Sequence, residues 1–582
     1  MKFRITTNKI KGNILLILTL VLAIFLRTWM LDLFPISFTH DEFEYVMQAK
    51  SLFYTGQGIP TAPPFGLFSW GQQVSGNVLA ELPSFLITPF VGPFNSSQFL
   101  ARFPYALLST LSVLMIYLIF KKLTQKKTLA LFAALVLAVN PWSIHFGRTS
   151  FEFTFAVFFY LTGLYIVIRA NKWQILYSLA FFVAGFLSYH GAKLLFFPLV
   201  SLVCLWKYLE GGRINWKPPL ALVLIALFIS IFYFITLKYQ PSSARAGELV
   251  FYDSTVASSV DNERKSAIPG SQQTFFLNKA TYFTKKLTNT YLHTFSTDFL
   301  FVSGENRGAY SFWIHGLFYY IDFPLILLGI VGLYSASKRG WGLIMGVLAI
   351  SPITSVLSGG EPSYVIRSGL VFPLLAALSG TGIWFLVNQF SKYRVLLGGI
   401  ILVIYLFSIA NFLNLYFTRY PIYNSEGFFY SNKVLSRYLG LALIKSSQPP
   451  IIISATEPRI LFEKFLFYNN FYSKDNAQAI NQKIAQSDFS YRNIRFTDKC
   501  SQVVATGSAT LVYEAKMECD KQQQPESRIL APVDAGSLFI IKDDKLCNVY
   551  NLPRYPRVNN ISDFDIYKLN EEDFCKTWIS FL

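Results

Sequence analysis

Long apolar runs recur along this chain, and polar stretches separate them. Eleven runs are each about 20 residues long, the length a helix needs to cross about 30 Å of hydrocarbon. Helices are the expected form there, because a helix satisfies its own backbone hydrogen bonds. The pattern therefore predicts eleven transmembrane helices, at about residues 13–33, 100–120, 128–145, 152–169, 173–189, 192–209, 218–237, 316–335, 341–357, 368–388 and 394–413.

The composition supports a membrane protein. Hydrophobic residues make up 53% of the 582 residues and charged residues only 14%, whereas soluble domains carry about 25% charged residues. Lipid must therefore cover part of the surface. The basic N-terminus before the first run resembles a signal peptide, but residues 13–33 are long enough to span and no small-residue cleavage site follows. We predict a retained helix.

Basic residues mark one side of the predicted helices. With the N-terminus in the cytoplasm and the helices alternating, the cytoplasmic pieces hold seventeen Lys and Arg residues and one acid, Glu210. These flanks carry nearly all of the net charge of +18, so the charge reports orientation and gives no support for nucleic-acid binding. They are Lys2, Arg4, Lys9, Lys11, Lys121, Lys122, Lys126, Lys127, Arg169, Lys172, Lys207, Arg213, Lys217, Lys338, Arg339, Lys392 and Arg394.

This orientation leaves the long polar segments outside, at residues 34–99, 238–315 and 414–582. The last segment is rich in charges of both signs, with helix patterns at 427–446 and 457–470 and strand patterns at 451–454, 511–515 and 537–541. The predicted fold is an all-α polytopic membrane domain, residues 1–413, with helices in its outer loops. A small extracytoplasmic mixed α/β domain, residues 414–582, follows.

Four of the five cysteines fall in this terminal segment. Cys204 lies in a predicted membrane helix, where it serves as a small apolar residue. Four cysteines outside the cytoplasm indicate two disulfides. Three pairings are possible, and we favour 500–519 with 547–575 because each closes a short loop. A zinc site or free thiols are alternatives, although no CxxC motif occurs. The four are Cys500, Cys519, Cys547 and Cys575.

The sharpest chemical signal is the run Thr39-His40-Asp41-Glu42, just after the first predicted span. It opens a segment, residues 41–54, that reads as a short amphipathic helix. Adjacent carboxylates near lipid are costly unless they are used or paired. A capping box between Thr39 and Glu42 is the structural alternative. It accounts for Glu42 better than for Asp41, so Asp41 is the stronger candidate for a general base.

A general base of this kind would suit a transferase that acts on a hydroxyl. Such an enzyme would also need cations near a leaving phosphate. Basic residues at the predicted outer helix ends are the candidates, although each could merely extend to the membrane interface. Glu152 lies one helical turn after Arg148 and is a candidate to pair with it. The cations are Arg148, Arg367, Lys193, His190 and Arg102.

These residues resemble those of the C-type glycosyltransferase superfamily. Within it, the chain is most similar to the protein O-mannosyltransferases and the lipid A aminoarabinose transferases, whose first outer loop carries an acidic pair. The resemblance spans about residues 30–390. Its motifs are the pair Asp41-Glu42, residues 49–56, Arg102-Phe103-Pro104, Asn140-Pro141-Trp142 with Arg148 and Glu152, residues 189–193 and residues 299–304.

The resemblance implies a membrane enzyme at the cell surface that takes a sugar from a polyprenyl-phosphate donor with inversion. The acceptor would be a hydroxyl of a lipid, glycan or protein. Asp41 would be the base, and Arg148 and Arg367 would bind the carrier phosphate, with no cofactor and no catalytic metal. Where the aminoarabinose transferases carry Lys-Pro-Pro, this chain has Ala80-Glu81-Leu82-Pro83, so that lysine's role does not transfer and lipid A becomes a doubtful acceptor.

Two other functions fit the sequence less well. A transporter or flippase of a lipid-linked sugar would place ionisable residues near the bilayer midplane, but here they gather at helix ends, with Asp322 as the exception. A membrane-anchored scaffold would not need eleven spans.

Overall fold

The computed structural model describes most of the chain. The described residues are 2–59, 72–74, 77–210, 216–237, 247, 249–252, 255–270, 272–305, 308–359, 364–445, 449–500, 509–517, 519, 526–532 and 537–581. Arg213 of the basic flanks and parts of the two loops 34–99 and 238–315 lie outside them.

The first half of the chain is helical, with a short two-stranded hairpin in its first long loop. Strands β1 (Gln72–Val74) and β2 (Asn77–Leu79) pair antiparallel. The helices are α1 (Lys2–Thr28), α2 (His40–Thr55), α3 (Pro83–Val91), α4 (Gln98–Thr124), α5 (Lys127–Val139), α6 (Pro141–Gly147), α7 (Phe153–Arg169), α8 (Tyr177–Ser188), α9 (His190–Glu210) and α10 (Lys217–Leu237).

Within the described part of residues 238–315, three loop helices precede the second group of apolar helices. The loop helices are α11 (Val256–Lys265), α12 (Gln272–Phe276) and α13 (Lys279–His293). The second group comprises α14 (Asp322–Ala336), α15 (Lys338–Ile350), α16 (Ile353–Leu357), α17 (Tyr364–Arg367), α18 (Val371–Gln389), α19 (Arg394–Asn414) and α20 (Tyr420–Tyr423).

Each of the eleven apolar runs predicted from the sequence contains an apolar helix. Within the described residues, six helices are long and apolar enough to cross a membrane, and the bent pair α5–α6 makes a seventh. Four further apolar helices are shorter: Asn13–Thr28, Phe153–Arg169, Lys172–Ser188 and Asp322–Ala336. The predicted fold class is confirmed as a mostly helical membrane part with a small C-terminal sheet domain, while the number of eleven spans stays a prediction.

A sharp bend separates α5 from α6. The two helices meet at 61°, and Pro141 occupies the first position of α6. Proline lacks the N–H that would continue the hydrogen bonds of α5. The Asn140 side chain instead caps α6 by accepting from the Ser143 N–H at 3.1 Å. After the bend, Arg148 reaches the Phe34 carbonyl at the start of the first long loop, and His145 lies 2.9 Å from the Ala309 carbonyl in the second.

Two glycines let α14 and α18 approach closely. A Cβ added at Gly329 would lie 1.9 Å from the Leu378 carbonyl oxygen, and one added at Gly382 would lie 1.9 Å from the Leu325 carbonyl oxygen. Small residues at such contacts permit close backbone packing of membrane helices.

Asp322, the ionisable exception among the predicted spans, forms hydrogen bonds that connect neighbouring helices. Its carboxylate is fully buried and accepts from the Ser379 hydroxyl at 2.6 Å and the Tyr405 hydroxyl at 2.5 Å. It also accepts from the Tyr319 N–H at 2.9 Å. The carboxylate therefore links α14, α18 and α19, which explains its place in an apolar helix.

The C-terminal part is a mixed α/β unit with a seven-stranded sheet of order β4-β5-β3-β6-β8-β7-β9. Strand β3 runs parallel to β5 and β6, and the other pairs are antiparallel. The strands are β3 (Ile451–Ser454), β4 (Ser490–Tyr491), β5 (Ile494–Thr497), β6 (Thr510–Glu514), β7 (Ser527–Leu530), β8 (Ser537–Lys542) and β9 (Ser580–Phe581). The helices are α21 (Tyr430–Ile444), α22 (Pro458–Tyr468), α23 (Ala477–Ala485) and α24 (Glu571–Trp578). The helix and strand patterns of the terminal segment thus match the structure, whereas the domain boundary at residue 413 stays a prediction.

Two disulfides secure this unit, with the same pairing as the sequence favours. Cys500 is bonded to Cys519, and Cys547 to Cys575. The second pair is fully buried, whereas Cys500 is exposed.

Buried polar contacts join this unit to the loop before α2. Lys433 Nζ donates to the Ile36 carbonyl at 2.9 Å and to Gln98 Oε1 at 2.5 Å. The hydroxyls of Ser37 and Tyr468 lie 2.9 Å apart. The C-terminal unit therefore helps to position the loop that leads into the acidic pair.

Candidate functional site

The acidic pair lies in the first turn of α2, whose start is fixed by a capping box. Thr39 has an extended backbone, its hydroxyl accepts from the Glu42 N–H at 3.2 Å, and Glu42 Oε2 accepts from the Thr39 N–H at 2.9 Å. The spacing of Thr39 and Glu42 predicts this arrangement. At the other end, Gly56 has a φ of 72° and ends the helix.

Glu42 is committed to the fold on both oxygens. Its Oε1 atom accepts from the Ser150 N–H at 2.6 Å and the Ser150 hydroxyl at 3.0 Å. The same oxygen lies 3.6 Å from Nε of Arg102. Glu42 is fully buried, so these contacts give it a positioning role for the helix that carries Asp41.

Arg102 is equally enclosed. Its guanidinium donates to the Pro35 and Ser37 carbonyls, each at 2.5 Å, and stacks 4.7 Å from the Phe38 ring centre. The Glu42–Arg102 pair thus ties α2, the loop before it and α4 together.

Asp41 differs from its neighbour because it is only half-buried. Burial raises the pKa of Tyr45, one turn further along α2, and the carboxylates of Glu152 and Asp41 raise that pKa further. Asp41 and Glu152 therefore both lie in electrostatic range of one phenol. The Tyr45 hydroxyl also accepts from the Ala80 N–H at 2.8 Å, which joins α2 to the segment before α3.

Arg148 is fully buried, and its guanidinium donates to the Leu26 carbonyl at 2.9 Å and the Phe34 carbonyl at 3.0 Å. Aromatic faces enclose it, with the Phe417 ring centre 5.0 Å away and that of Tyr416 5.5 Å away. These contacts hold the end of α1 and the loop before α2, while binding of the carrier phosphate by Arg148 stays a prediction.

Lys193 lies against the carboxylate of Glu81. Its Nζ atom is 2.5 Å from Glu81 Oε1, and both side chains are buried. The ring centres of Tyr233 and Phe186 lie 5.0 Å and 5.5 Å from the ammonium. The buried pair fixes the start of α9 against the segment before α3.

His190 and Arg367 lie at helix ends and are only partly enclosed. His190 begins α9, and Arg367 ends the short helix α17. Both are half-buried. Of the two arginines that the resemblance assigns to the phosphate, Arg367 is the more accessible.

Three buried basic residues were not singled out from the sequence. Arg27 donates to Ser109 at 2.8 Å and to Ser143 at 2.6 Å, and Lys433 holds the loop before α2 as described above. Lys464 lies under the Phe429 ring, 4.9 Å from its centre. Arg27 lies inside the first apolar run, and such an intramembrane cation signals a buried role. Lys433 and Lys464 give no comparable signal in sequence.

Across the residues that the structure describes, no group of three or more His, Cys, Asp or Glu side chains is placed to hold a metal ion.

Residues 81–236 match the family model described as dolichyl-phosphate-mannose-protein mannosyltransferase. This match runs from the segment before α3 through most of α10 and does not include Asp41. Among curated proteins, none matches the chain.

Solved structures with a similar course of the chain include two membrane transferases. One is the oligosaccharyltransferase AglB from Archaeoglobus fulgidus, 13% identical, with a TM-score of 0.45 over 88% of this chain and 70% of that chain. Another is ArnT from Cupriavidus metallidurans, 12% identical, with a TM-score of 0.46 over 90% of this chain and 97% of that one. ArnT bound to undecaprenyl phosphate is 10% identical, with a TM-score of 0.44 over 91% and 98%.

The family match agrees with the motifs read from the sequence, and the chain is a multi-pass membrane glycosyltransferase. Residues 81–236 are thus similar to the protein mannosyltransferases, one of the groups that the motifs of the sequence also resemble.

Proposed function

We propose that the protein transfers a monosaccharide from a polyprenyl-phosphate carrier to an acceptor hydroxyl, with inversion, on the outer face of the cell membrane. One observation carries the proposal: the fold occupies both oxygens of Glu42 and buries them, while Asp41 beside it stays half-buried. This difference in burial supports Asp41, the more accessible of the adjacent carboxylates, as the proposed base.

Asp41 would act as the general base. Its carboxylate takes the proton of the acceptor hydroxyl as that oxygen attacks the anomeric carbon from the side opposite the phosphate. The bond between the anomeric carbon and the phosphate oxygen breaks, and the carrier phosphate leaves with the electron pair. Such proton transfer typically contributes about 10²–10⁴-fold to a rate.

Cations near the leaving group would stabilise its charge. Arg367 and His190 are the candidates, since both residues are half-buried at helix ends. Both ring nitrogens of His190 are enclosed, so Arg367 is the stronger candidate. Arg148 and the Lys193–Glu81 pair are already engaged by buried partners, so they would position the surrounding helices. Glu152 would contribute a second carboxylate near Tyr45.

The outer-face location is supported by the charge pattern, because the short connections between the predicted spans carry the basic residues. The C-terminal unit and its two disulfides would then lie outside the cytoplasm, where disulfides persist.

Substitution of Asp41 tests the proposal. Asp41→Asn, reconstituted with short-chain polyprenyl-phosphate sugars and a membrane-extract acceptor, should lose transfer while keeping its thermal stability. Asp32→Asn is a matched control, because Asp32 is a loop carboxylate that accepts from Ser97 and from the Phe99 N–H. It should keep transfer. Normal turnover by Asp41→Asn would remove the mechanism.

Transport of a lipid-linked sugar is the alternative function. The buried Asp322 would have favoured it, but this carboxylate is taken up by Ser379, Tyr405 and the Tyr319 N–H. Label that crosses a vesicle bilayer without a new glycosidic bond would favour transport.

A further inference from the structure

A cavity of about 610 Å³ opens between the N-terminal end of α2 and the C-terminal unit. Its volume is in the range of small-molecule binding sites, about 300–1,000 Å³. We name it the His40–Glu457 cavity. The charged residues of its lining are Glu426, Glu457, Glu514 and Lys516, together with the His40 ring.

The position of this cavity links it to the proposed base. His40 lines it and directly precedes Asp41 in the first turn of α2. A molecule in the cavity would therefore lie beside the helix turn that carries the carboxylate. The remaining lining comes from α21, α22, the sheet and the segments adjoining them, so both parts of the chain form the cavity.

The cavity wall at His40 is held in a fixed arrangement. The His40 ring stacks on Phe429 with centroids 3.8 Å apart and planes at 18°, and its Nδ1 lies 3.1 Å from Glu457 Oε2. Phe429 has a φ of 49°, in the left-handed region. Non-glycine residues are uncommon in that region, and such residues cluster at functional sites.

The charges of the lining favour one kind of occupant. Three carboxylates line the cavity against one ammonium, that of Lys516. The hydrogen bond from His40 lowers the pKa of Glu457, which keeps this carboxylate charged at neutral pH. Glu457 is also half-exposed, with 54% of its side chain accessible. Glu514 is paired with Lys516 at 3.5 Å, and burial raises the pKa of Glu426. Glu457 is therefore the carboxylate whose negative charge an anionic occupant would meet.

The rest of the lining suits a sugar ring. Leu538 is half-buried and supplies apolar surface for the C–H face of a ring, whereas Phe539 and Ile460 are almost fully buried. Asn432 and the carboxylates can bond to hydroxyl groups. A phosphorylated lipid head group or an acidic glycan meets like charge here, which costs binding energy.

We propose that the His40–Glu457 cavity binds the acceptor and that this acceptor is a saccharide without anionic groups. The inference rests on the proposed function for the meaning of acceptor, but the binding it states is measured without any transfer.

Three probes that share the same sugar ring but differ in charge test the proposal. They are the neutral methyl glucoside, the cationic methyl glucosaminide and the anionic methyl glucuronide. Saturation-transfer NMR on the full chain in detergent at pH 7 should show binding of the first two. Binding of the glucuronide should be weaker by about fivefold or more, because of like-charge repulsion. Equal or stronger binding of the glucuronide, or no binding of any probe, overturns the proposal. So does preferred binding of an uncharged peptide.

Variants locate the binding. Glu457→Gln should reduce the difference in binding affinity between the glucoside and the glucuronide. Glu572→Gln is the matched control, because Glu572 is also 54% exposed and paired with one cation, Lys576, and should leave the difference unchanged. Asn432→Trp should fill the cavity and abolish all three signals, with thermal stability measured alongside. Signals that survive this change in a folded protein would place the probes elsewhere.

One further variant separates the two proposals. Asp41→Asn should keep glucoside binding while losing transfer. Transfer by this variant would overturn the proposed mechanism and leave the cavity binding intact. Loss of binding in Glu457→Gln and Asn432→Trp alike, with transfer retained, would overturn only the acceptor site.

Discussion

The Glu42 carboxylate lies 3.6 Å from Nε of Arg102, and neither side chain has any accessible surface. The arginine also holds the Pro35 and Ser37 carbonyls. The two residues therefore join α2 and α4 through the loop just before Asp41. This relationship gives Glu42, the less accessible acid of the pair, a structural task, and it supports the proposal that Asp41 is the base.

Replacing Glu42 tests that division of roles. Glu42→Gln should lower thermal stability because it leaves the Arg102 charge without its buried partner, a loss of about 3–5 kcal/mol where no other group compensates. Thr39→Ala removes only the helix cap and should cost about 1 kcal/mol. Melting in detergent compares the two variants with the parent. A Glu42→Gln protein as stable as the parent but without transfer would give Glu42 a direct catalytic role.

The sequence predicts the local part of this arrangement and misses its long-range part. The spacing of Thr39 and Glu42 predicts the capping box, since both partners lie within one helical turn. The contacts of Glu42 with Ser150 and Arg102 join segments far apart in the chain, and no pattern within either segment encodes them. The same reason hides the burial of Arg148, which the family resemblance assigns to the phosphate.

Arg148 and Arg367 should respond differently to substitution. Arg148→Lys should lower the melting temperature, because an ammonium cannot reproduce the planar fork that serves the Leu26 and Phe34 carbonyls. Arg367→Gln should leave the melting temperature almost unchanged. It should lower kcat/KM for the donor by about tenfold or more, since it removes the positive charge proposed to stabilise the leaving phosphate.

Kinetics with varied donor concentration, together with melting curves, separates these outcomes. An unchanged melting temperature in Arg148→Lys with a raised KM for the donor would assign Arg148 to the phosphate after all. Unaltered kinetics in Arg367→Gln would take Arg367 out of the site.

Asp322 provides a prediction within the membrane part. Asp322→Ala should destabilise the protein more than Tyr405→Phe, because the first change leaves the Ser379 hydroxyl, the Tyr405 hydroxyl and the Tyr319 N–H without their acceptor. Each buried polar group left unsatisfied costs about 1–3 kcal/mol. Melting temperatures in detergent measure the difference. An Asp322→Ala protein with normal stability but no activity would instead place this carboxylate in a transport or catalytic path.

The two disulfides should differ in their resistance to reduction. Cys547 and Cys575 are fully buried, while Cys500 is exposed, and a reductant must reach a sulfur to attack it. Mild dithiothreitol treatment of the folded protein, followed by alkylation and peptide mass spectrometry, should label Cys500 and Cys519 first. Earlier labelling of Cys547 and Cys575 would show that the region around α24 opens more readily than its burial indicates.

The chemistry of the His40–Glu457 cavity was beyond reach from sequence for a physical reason. Strand and helix patterns predict the elements of the C-terminal unit, and most of them match the structure. How that unit packs against α2 depends on contacts such as that of Lys433 with Ile36, which have no periodic signature. His40 is therefore visible in the sequence only as the residue before an acid.

Lys464 gives the protein a pH-dependent stability that can be isolated. Burial lowers the pKa of this lysine from 10.5 to about 7, although Glu426 and Glu457 partly offset that effect. Between these values the unfolded chain binds a proton that the folded protein does not, so folding is favoured increasingly as the pH rises from about 7 toward 10.5. The slope approaches about 1.4 kcal/mol per pH unit in that window.

Melting temperatures of the parent and of Lys464→Met, measured from pH 7 to pH 9, test this. The parent should gain stability relative to the variant as the pH rises, because methionine fills the same buried space without a charge to remove. Lys483→Met on the neighbouring helix α23, where the lysine side chain is 44% exposed, should follow the parent throughout. If Lys464→Met keeps the whole rise, the proton responsible belongs to another group, and the ammonium of Lys464 stays charged beneath the Phe429 ring.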